Sequence, residues 1–360
     1  MPGATPTVAA AAAGGRPWTR WTFWLSLVFP VVVLALVFSQ VDLHAMLQSL
    51  WGANLVEVLG TLALAFLIPI VLLAWRWQWI LRRFYGANLS YGCILREYWI
   101  SLFVGYWLPA GVGSDVYRVI RVSKAAGGIP VSAAAVVGEK AWALLAYGLL
   151  VLGAYPLVIP SVNAQPQVRQ GVMAIAAVAA LATAALLLVL LLKGPLARQV
   201  RSALQGRVLN RLSGMARALL RAAGGGEAAT FSGILAPFFR WRNQAVGLGL
   251  TLLIQLITSV GGRLLLLALG VNLPLAVHVF VWALMNFFLF LPITVAGFGV
   301  REASFILLFG LFGVPRETAL AASFLSLGCT LIAIGPGGLV LLWRGLGPRT
   351  RGAASPTPGP

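Results

Sequence analysis

Apolar runs of bilayer length recur from one end of this chain to the other, and that recurrence leaves few folds open to it. Windows of suitable length fall at about 21–41, 52–75, 131–158, 170–192, 245–267, 275–292, 299–314 and 318–343. Backbone buried in lipid must satisfy its own N–H and C=O groups, and segments of this length do so as helices. With 60% of its residues hydrophobic and only 9% charged, the chain carries more apolar surface than soluble domains could hide. It reads as an all-α, polytopic membrane protein with about eight transmembrane helices.

A ninth apolar stretch, at about 93–110, is short and contains Gly105. Arg76, Arg82, Arg83 and Arg96 precede it, and Arg118, Arg121 and Lys124 follow it. Both flanks therefore favour the cytoplasm, and the stretch is expected to enter and return as a re-entrant hairpin. Eight crossings with both termini cytoplasmic put 21 of the 26 Lys and Arg on the cytoplasmic side. Trp18, Trp21 and Trp24, then Trp75, Trp77 and Trp79, read as interfacial belts at the cytoplasmic ends of the first two spans.

The net charge of +18 raises the question of nucleic acid, but the basic residues sit between apolar runs, where an anionic leaflet attracts them. The largest share lies in a loop at 193–243, whose Leu196, Val200, Leu204, Val208, Leu212, Met215 and Leu219 recur at helical spacing. It is expected to lie on the anionic inner leaflet, with Ala222-Ala223-Gly224-Gly225-Gly226 as a break. The tails at 1–20 and 344–360 are expected to be disordered and cytoplasmic, flanking a membrane domain at 21–343. The first apolar run is read as a retained helix rather than a cleaved signal.

Two polar interruptions of similar chemistry lie about half a chain apart. One is Leu108-Pro109-Ala110-Gly111-Val112-Gly113-Ser114-Asp115 with Arg118; the other runs from Leu291-Pro292 to Gly297-Phe298-Gly299-Val300-Arg301-Glu302. Each joins Pro and two Gly to an acid and an Arg. Paired breaks of this sort are the best sequence pointer to a transporter site, and irregular backbone at membrane depth needs protein or a water-filled cavity around it. The backbone breaks are placed at Pro109, Gly111, Gly113, Pro292, Gly297 and Gly299.

Asp115, Glu139 and Glu302 are the acids that fall at membrane depth; Asp42, Glu57, Glu97, Glu227 and Glu317 fall in loops or near span ends. A charge at the centre of a helix in lipid costs about 2.5–3.5 kcal/mol on insertion scales, so each needs a partner or a pocket. One outcome is mutual neutralisation: Asp115 with Arg118, Glu139 with Lys140 or an Arg of the hairpin, and Glu302 with Arg301 or Arg263. The other is a headgroup site, in which Arg118, Lys140, Arg263 and Arg301 face an anion while Asp115, Glu139 and Glu302 orient them or couple to protons. Helix ends made by Pro and Gly can also turn backbone N–H groups toward a phosphate.

Signs of catalysis are sparse. The sequence holds neither a D-x-D nor an H-E-x-x-H pattern, and His44 in an outer loop and His278 at the start of the sixth span, isolated from other ligand types, read as interfacial rather than catalytic. Cys93 and Cys329 are far apart in apolar context, too few for a disulfide framework. Neither a catalytic residue, a metal nor a cofactor is expected, and the chain is read as a non-enzyme.

In these same residues the chain resembles the lysylphosphatidylglycerol synthase transmembrane-region family, the flippase-like domain of the multiple peptide resistance factor. The likeness rests on Leu108–Asp115 with Arg118, on Glu139-Lys140 opening a long apolar helix, and on Leu291-Pro292 through Glu302-Ala303. Gly313-Val314-Pro315 and Gly335-Pro336-Gly337-Gly338 extend it over roughly residues 20–345. The resemblance implies a multi-pass protein of the bacterial cytoplasmic (inner) membrane that handles or moves a lipid with an anionic or glycosylated headgroup. Glu139-Lys140 stands where the family more often has a carboxylate followed by Arg, and Ser114 where Gly is common. Only about fifteen polar residues follow the last span, so the soluble aminoacyl-transfer domain is not expected.

The leading expectation is therefore a flippase-like protein whose partners are anionic phospholipid or glycolipid, with no nucleic acid. A non-catalytic accessory or scaffold subunit, docking a second copy or an enzyme of an envelope-polymer pathway, is the alternative. A membrane transferase using lipid-linked sugar ranks lowest, for want of an acidic pair to hold a donor.

Overall fold

The computed structural model describes residues 32, 35, 38, 39, 41–107, 112–162, 166–191, 234, 236–289 and 299–346. Most of the first expected span, nearly all of the basic loop at 193–243, the tail at 1–20 and most of that at 344–360 lie outside the described residues. Every regular element among the described residues is helical.

The order is α1 (Leu43–Trp51), α2 (Leu55–Tyr85), α3 (Tyr91–Tyr106), α4 (Val112–Ala126), α5 (Ile129–Val158), α6 (Pro166–Leu191), α7 (Trp241–Ala268), α8 (Leu275–Leu289), α9 (Val300–Gly310) and α10 (Arg316–Leu346). The helix starts follow from local chemistry. Asp42 accepts from the backbone N–H of His44 at 2.8 Å to cap α1, and Asn54 and Ser90 cap α2 and α3 in the same way. α2 ends at Gly86, whose φ of 69° is the left-handed turn that glycine tolerates best.

Among the described residues four helices, α2, α5, α7 and α10, are long and apolar enough to cross a bilayer; α6 and α8 contain shorter apolar stretches, Arg169–Ala185 and Leu275–Phe287. Two expected windows come out differently. The second does not stop at 75 but continues as helix to Tyr85, carrying Arg76, Arg82 and Arg83 with it. The window at 299–314 holds α9 of 11 residues, about 16 Å at helical rise and well short of a hydrocarbon core of about 30 Å. Gly299 at its start and Gly313 after its end, with φ of 79° and 80°, account for the short length.

Within α2, Leu62–Leu67 is wound as π-helix. This wider segment lies against α7, where a side-chain carbon on Gly261 would collide with the backbone of Ala65. α2 and α7 thus run antiparallel in close backbone contact, fastened at one end by the Asn54 N–H donating to the Ala268 carbonyl at 2.9 Å.

α3 and α4 form an antiparallel hairpin. Gly105 abuts Ser114 at the closed end, and Glu97 meets Tyr117 and Arg121 further along. Its outer side packs on α10, where the interior Pro336 and neighbouring glycines make room: a side chain on Gly337 would strike the Trp99 carbonyl, and the Trp99 indole donates to the Ala333 carbonyl at 2.9 Å.

The apolar interior has two main parts. One gathers α5, α8 and α9 around Phe280, Trp282, Phe305 and Phe309; the other gathers α2, α3 and α5 around Trp77, Ile80, Ile94, Tyr98 and Trp142. Trp77, expected in an interfacial belt, is fully buried in the second.

Candidate functional site

The second of these cores encloses a set of ionised side chains. Arg76 of α2 lies nine residues from the Tyr85 end, Glu139 of α5 ten residues from Ile129, and Thr251 of α7 ten residues from Trp241. At helical rise that is about 14–15 Å inside each helix, so the three positions meet at one depth.

They are bonded there. Arg76 donates to Glu139 Oε1 at 2.6 Å and to the Thr251 hydroxyl at 2.6 Å. Arg118 of α4 donates to Glu139 Oε2 at 2.8 Å and to Asp115 Oδ1 at 2.7 Å, one helical turn back. Lys140 reaches the other Asp115 oxygen at 3.0 Å. The Arg118 guanidinium also lies over the Trp77 and Tyr98 rings, 5.1 and 4.8 Å from their centroids, where the ring faces attract a cation.

Burial sorts this set. Arg76, Glu139 and Arg118 are 2%, 3% and 4% exposed, whereas the Lys140 side chain is 39% exposed and looks outward from the same acid. Breaking a buried pair by removing one partner costs about 3–5 kcal/mol, so each member holds the others in place. Three cations face two carboxylates, and the formal charge of the set is positive.

A second ionic group stands at the other interruption. Arg301 donates through Nε and Nη2 to Glu302 Oε1 at 3.1 and 2.8 Å. Glu302 Oε2 accepts the Gly299 N–H at 2.7 Å, which closes the first turn of α9, and the Ser323 hydroxyl of α10 lies 3.3 Å from Oε1. Glu302 is 1% exposed.

The structure thus brings Asp115, Arg118, Glu139 and Lys140 together and puts Arg301 with Glu302. Arg263 stands apart from both pairings, donating to Asn272 Oδ1 at 3.3 Å. Gly113 lies in the first turn of α4 and Gly299 caps α9. Pro109, Gly111, Pro292 and Gly297 lie outside the described residues.

Two participants were misjudged from sequence. Arg76 reads as a loop residue flanking the hairpin, because a Trp-Arg-Trp-Gln-Trp run resembles an interface; the helix continues past it and buries it. Glu97 reads as solvated, yet its side chain is 7% exposed and accepts from Tyr117, Arg121 and Arg344 at 3.0, 3.3 and 2.6 Å. The four-residue spacing of Tyr117 and Arg121 was the available signal, since it sets both on one helix face.

Among the described residues no three His, Cys, Asp or Glu side chains gather in a way that could hold a metal ion. Cys93 and Cys329 are free thiols.

The chain matches the family described as the lysylphosphatidylglycerol synthase TM region over residues 23–338, and it belongs to that family. No curated protein and no solved structure matches it significantly.

Proposed function

We propose that this membrane protein is flippase-like, handling or translocating a lipid with an anionic or glycosylated headgroup, and that it does so without catalysing a covalent reaction. The observation that carries this reading is the positively charged set of Arg76, Arg118, Lys140, Glu139 and Asp115 in a membrane domain, its Arg76, Arg118 and Glu139 buried and its Lys140 side chain turned outward. Ionisable groups at such depth are costly and mark substrate paths by default. Membership of the family supports the flippase-like reading.

In this mechanism Glu139 and Asp115 orient Arg118, and Lys140, the most exposed cation of the set, meets the headgroup first. Arg301, positioned by Glu302, provides a second cation at the other break. The lipid's tails stay in the bilayer while its phosphate exchanges water for guanidinium and ammonium donors. Arg82, Arg83, Arg240 and Arg242 at the ends of α2 and α7 favour placing that end of the bundle at the cytoplasm, in a bacterial inner membrane.

The test is reconstitution into liposomes holding labelled anionic, glycosylated and neutral lipids. Wild-type protein is expected to exchange an anionic or glycosylated lipid between leaflets, and Arg118→Ala and Arg301→Ala to lose most of that activity. Unchanged exchange in both variants would remove these residues from the site.

A second reading rests on the completeness of the pairing. Each charged side chain of the interior set bonds another member, which suits a structural lock in an accessory or scaffold subunit. On that reading Lys140→Ala leaves lipid exchange untouched, and a partner protein copurifies.

A further inference from the structure

The stretch between the first two apolar windows, where His44 reads as lying in a loop, is the helix α1, and its nine residues present three faces. Met46 and Leu50 turn toward the protein, where Val41, Leu320 and Ala321 pack with them. Leu43, Leu47 and Trp51, each four residues from the next, share a second face. All three are exposed, Trp51 to 88%. His44 and Gln48 make the third face, also exposed, with the Gln48 amide nitrogen 2.9 Å from His44 Nε2.

At about 100° per residue, the exposed apolar face lies between the protein-facing side and the polar one. A helix at the surface of a soluble domain carries one apolar stripe, turned to its core. α1 carries a second that faces away from the protein. Each stripe runs the length of the helix, and Leu43 and Trp51 stand about 12 Å apart along the axis. A helix lying along a boundary keeps such a stripe at one depth, whereas an upright helix would spread it over that distance.

The neighbouring helices set the depth. α1 leads into α2 at the end where the Asn54 N–H bonds the Ala268 carbonyl of α7. The 28 residues of α7 reach about 42 Å at helical rise, close to the roughly 40–45 Å of a bilayer with its headgroups. Trp241, exposed between Arg240 and Arg242, marks one interface at the far end of α7. Trp51 therefore falls at the level of the opposite interface, where the amphipathic indole is favoured. The apolar surface also continues onto α2, whose first turns expose Leu55, Val56 and Leu59 in a helix long enough to cross the bilayer.

We infer that α1 is an interfacial anchor whose partner is the bilayer surface: Leu43, Leu47 and Trp51 enter the boundary between acyl chains and headgroups, and His44 and Gln48 face the headgroups. The leaflet is the one opposite the arginine-rich ends of α2 and α7. Because Met46 rests on Leu320 and Ala321, the anchor ties the first turns of α10 to that leaflet. This surface is separate from the ionic set, and the inference holds whichever lipid the protein handles.

The test places a nitroxide on the full chain in phosphatidylcholine–phosphatidylglycerol vesicles, in a Cys93→Ser, Cys329→Ala background. Labels go singly on Leu43→Cys, His44→Cys, Leu47→Cys, Gln48→Cys and Trp51→Cys, with Leu55→Cys as the reference on α2. Collisions with molecular oxygen, which partitions into lipid, are compared with those of a water-soluble nickel chelate. Labels at 43, 47 and 51 are expected to favour oxygen, as at 55, and to sit about 5–10 Å below the headgroup surface. Labels at 44 and 48 are expected to favour nickel, and this alternation also reports that the helix is formed. Nickel access at 43, 47 and 51 equal to that at 44 and 48 would put the face in water and overturn the anchor. Exclusion of both reagents from 43, 47 and 51 would overturn it too, by showing a protein chain on that face.

Discussion

Glu139 and Glu302 are both nearly dry carboxylates bound to arginine, yet they act over different reaches of the molecule. Glu139 on α5 joins Arg76 of α2 to Arg118 of α4, and through Arg76 it also holds Thr251 of α7. Glu302 binds its own neighbour Arg301 and the Gly299 N–H that opens the same helix, with Ser323 as its reach to α10. The first acid fastens helices to one another. The second fixes how one short helix begins. Two buried acids with the same kind of partner can therefore do different structural work, and what separates them is where the partners come from.

The largest effect expected to follow from this difference is that of Glu139→Gln. It leaves Arg76 and Arg118 buried without their shared acid, at about 3–5 kcal/mol of stability measured by denaturant or thermal unfolding in detergent. A loss no greater than that of a surface variant would refute the fastening role. Glu302→Gln comes next, at about 2–3 kcal/mol, because the amide oxygen still accepts from Gly299 while Arg301 loses its charged acceptor. Equal losses for the two variants would erase the distinction.

Gly337→Ala tests whether the hairpin also depends on α10. Its new methyl meets the Trp99 carbonyl, and overpacking of this kind should cost on the order of 1–2 kcal/mol and expose the hairpin to protease. Resistance equal to wild type would show that α3 tolerates separation from α10. Arg344→Ala should matter least. Its side chain is 29% exposed and is one of several cations around Glu97, so about 0–1 kcal/mol is expected, shrinking as salt is raised. A salt-independent loss would mean that this pair is as dry as the one at Glu139.

Much of this was legible from the residues alone. Hydropathy windows gave the helical class and most of the long elements, since lipid permits few other backbones. The Asp115–Arg118 pair follows from i,i+3 spacing within one helix. Glu302 beside Gly299 is equally local. Arg76 was missed because its partner Glu139 lies 63 residues away, and Glu97 because its partners Tyr117, Arg121 and Arg344 all lie on other helices. No periodicity in one segment records what another will bring to it. His278 was misplaced for the same reason: its position near a helix start suggests an interface, while in the fold it is fully buried with its ring 5.9 Å from that of Phe309 on α9.

The π-wound turn at Leu62–Leu67 has a consequence for how α2 is phased. A π segment holds an extra residue in the winding, so the two halves of the helix are offset in rotation from what an α-helix of the same sequence would give. Asn54 and Gly60, which seat α2 on α7, lie on one side of it, and Arg76 lies on the other. Substitutions that rewind 62–67 as α-helix with no residue removed would turn Arg76 by about 100° about the axis. Every side chain in the ionic set would survive such a change, but the arginine that links α2 to α5 would be turned away from Glu139.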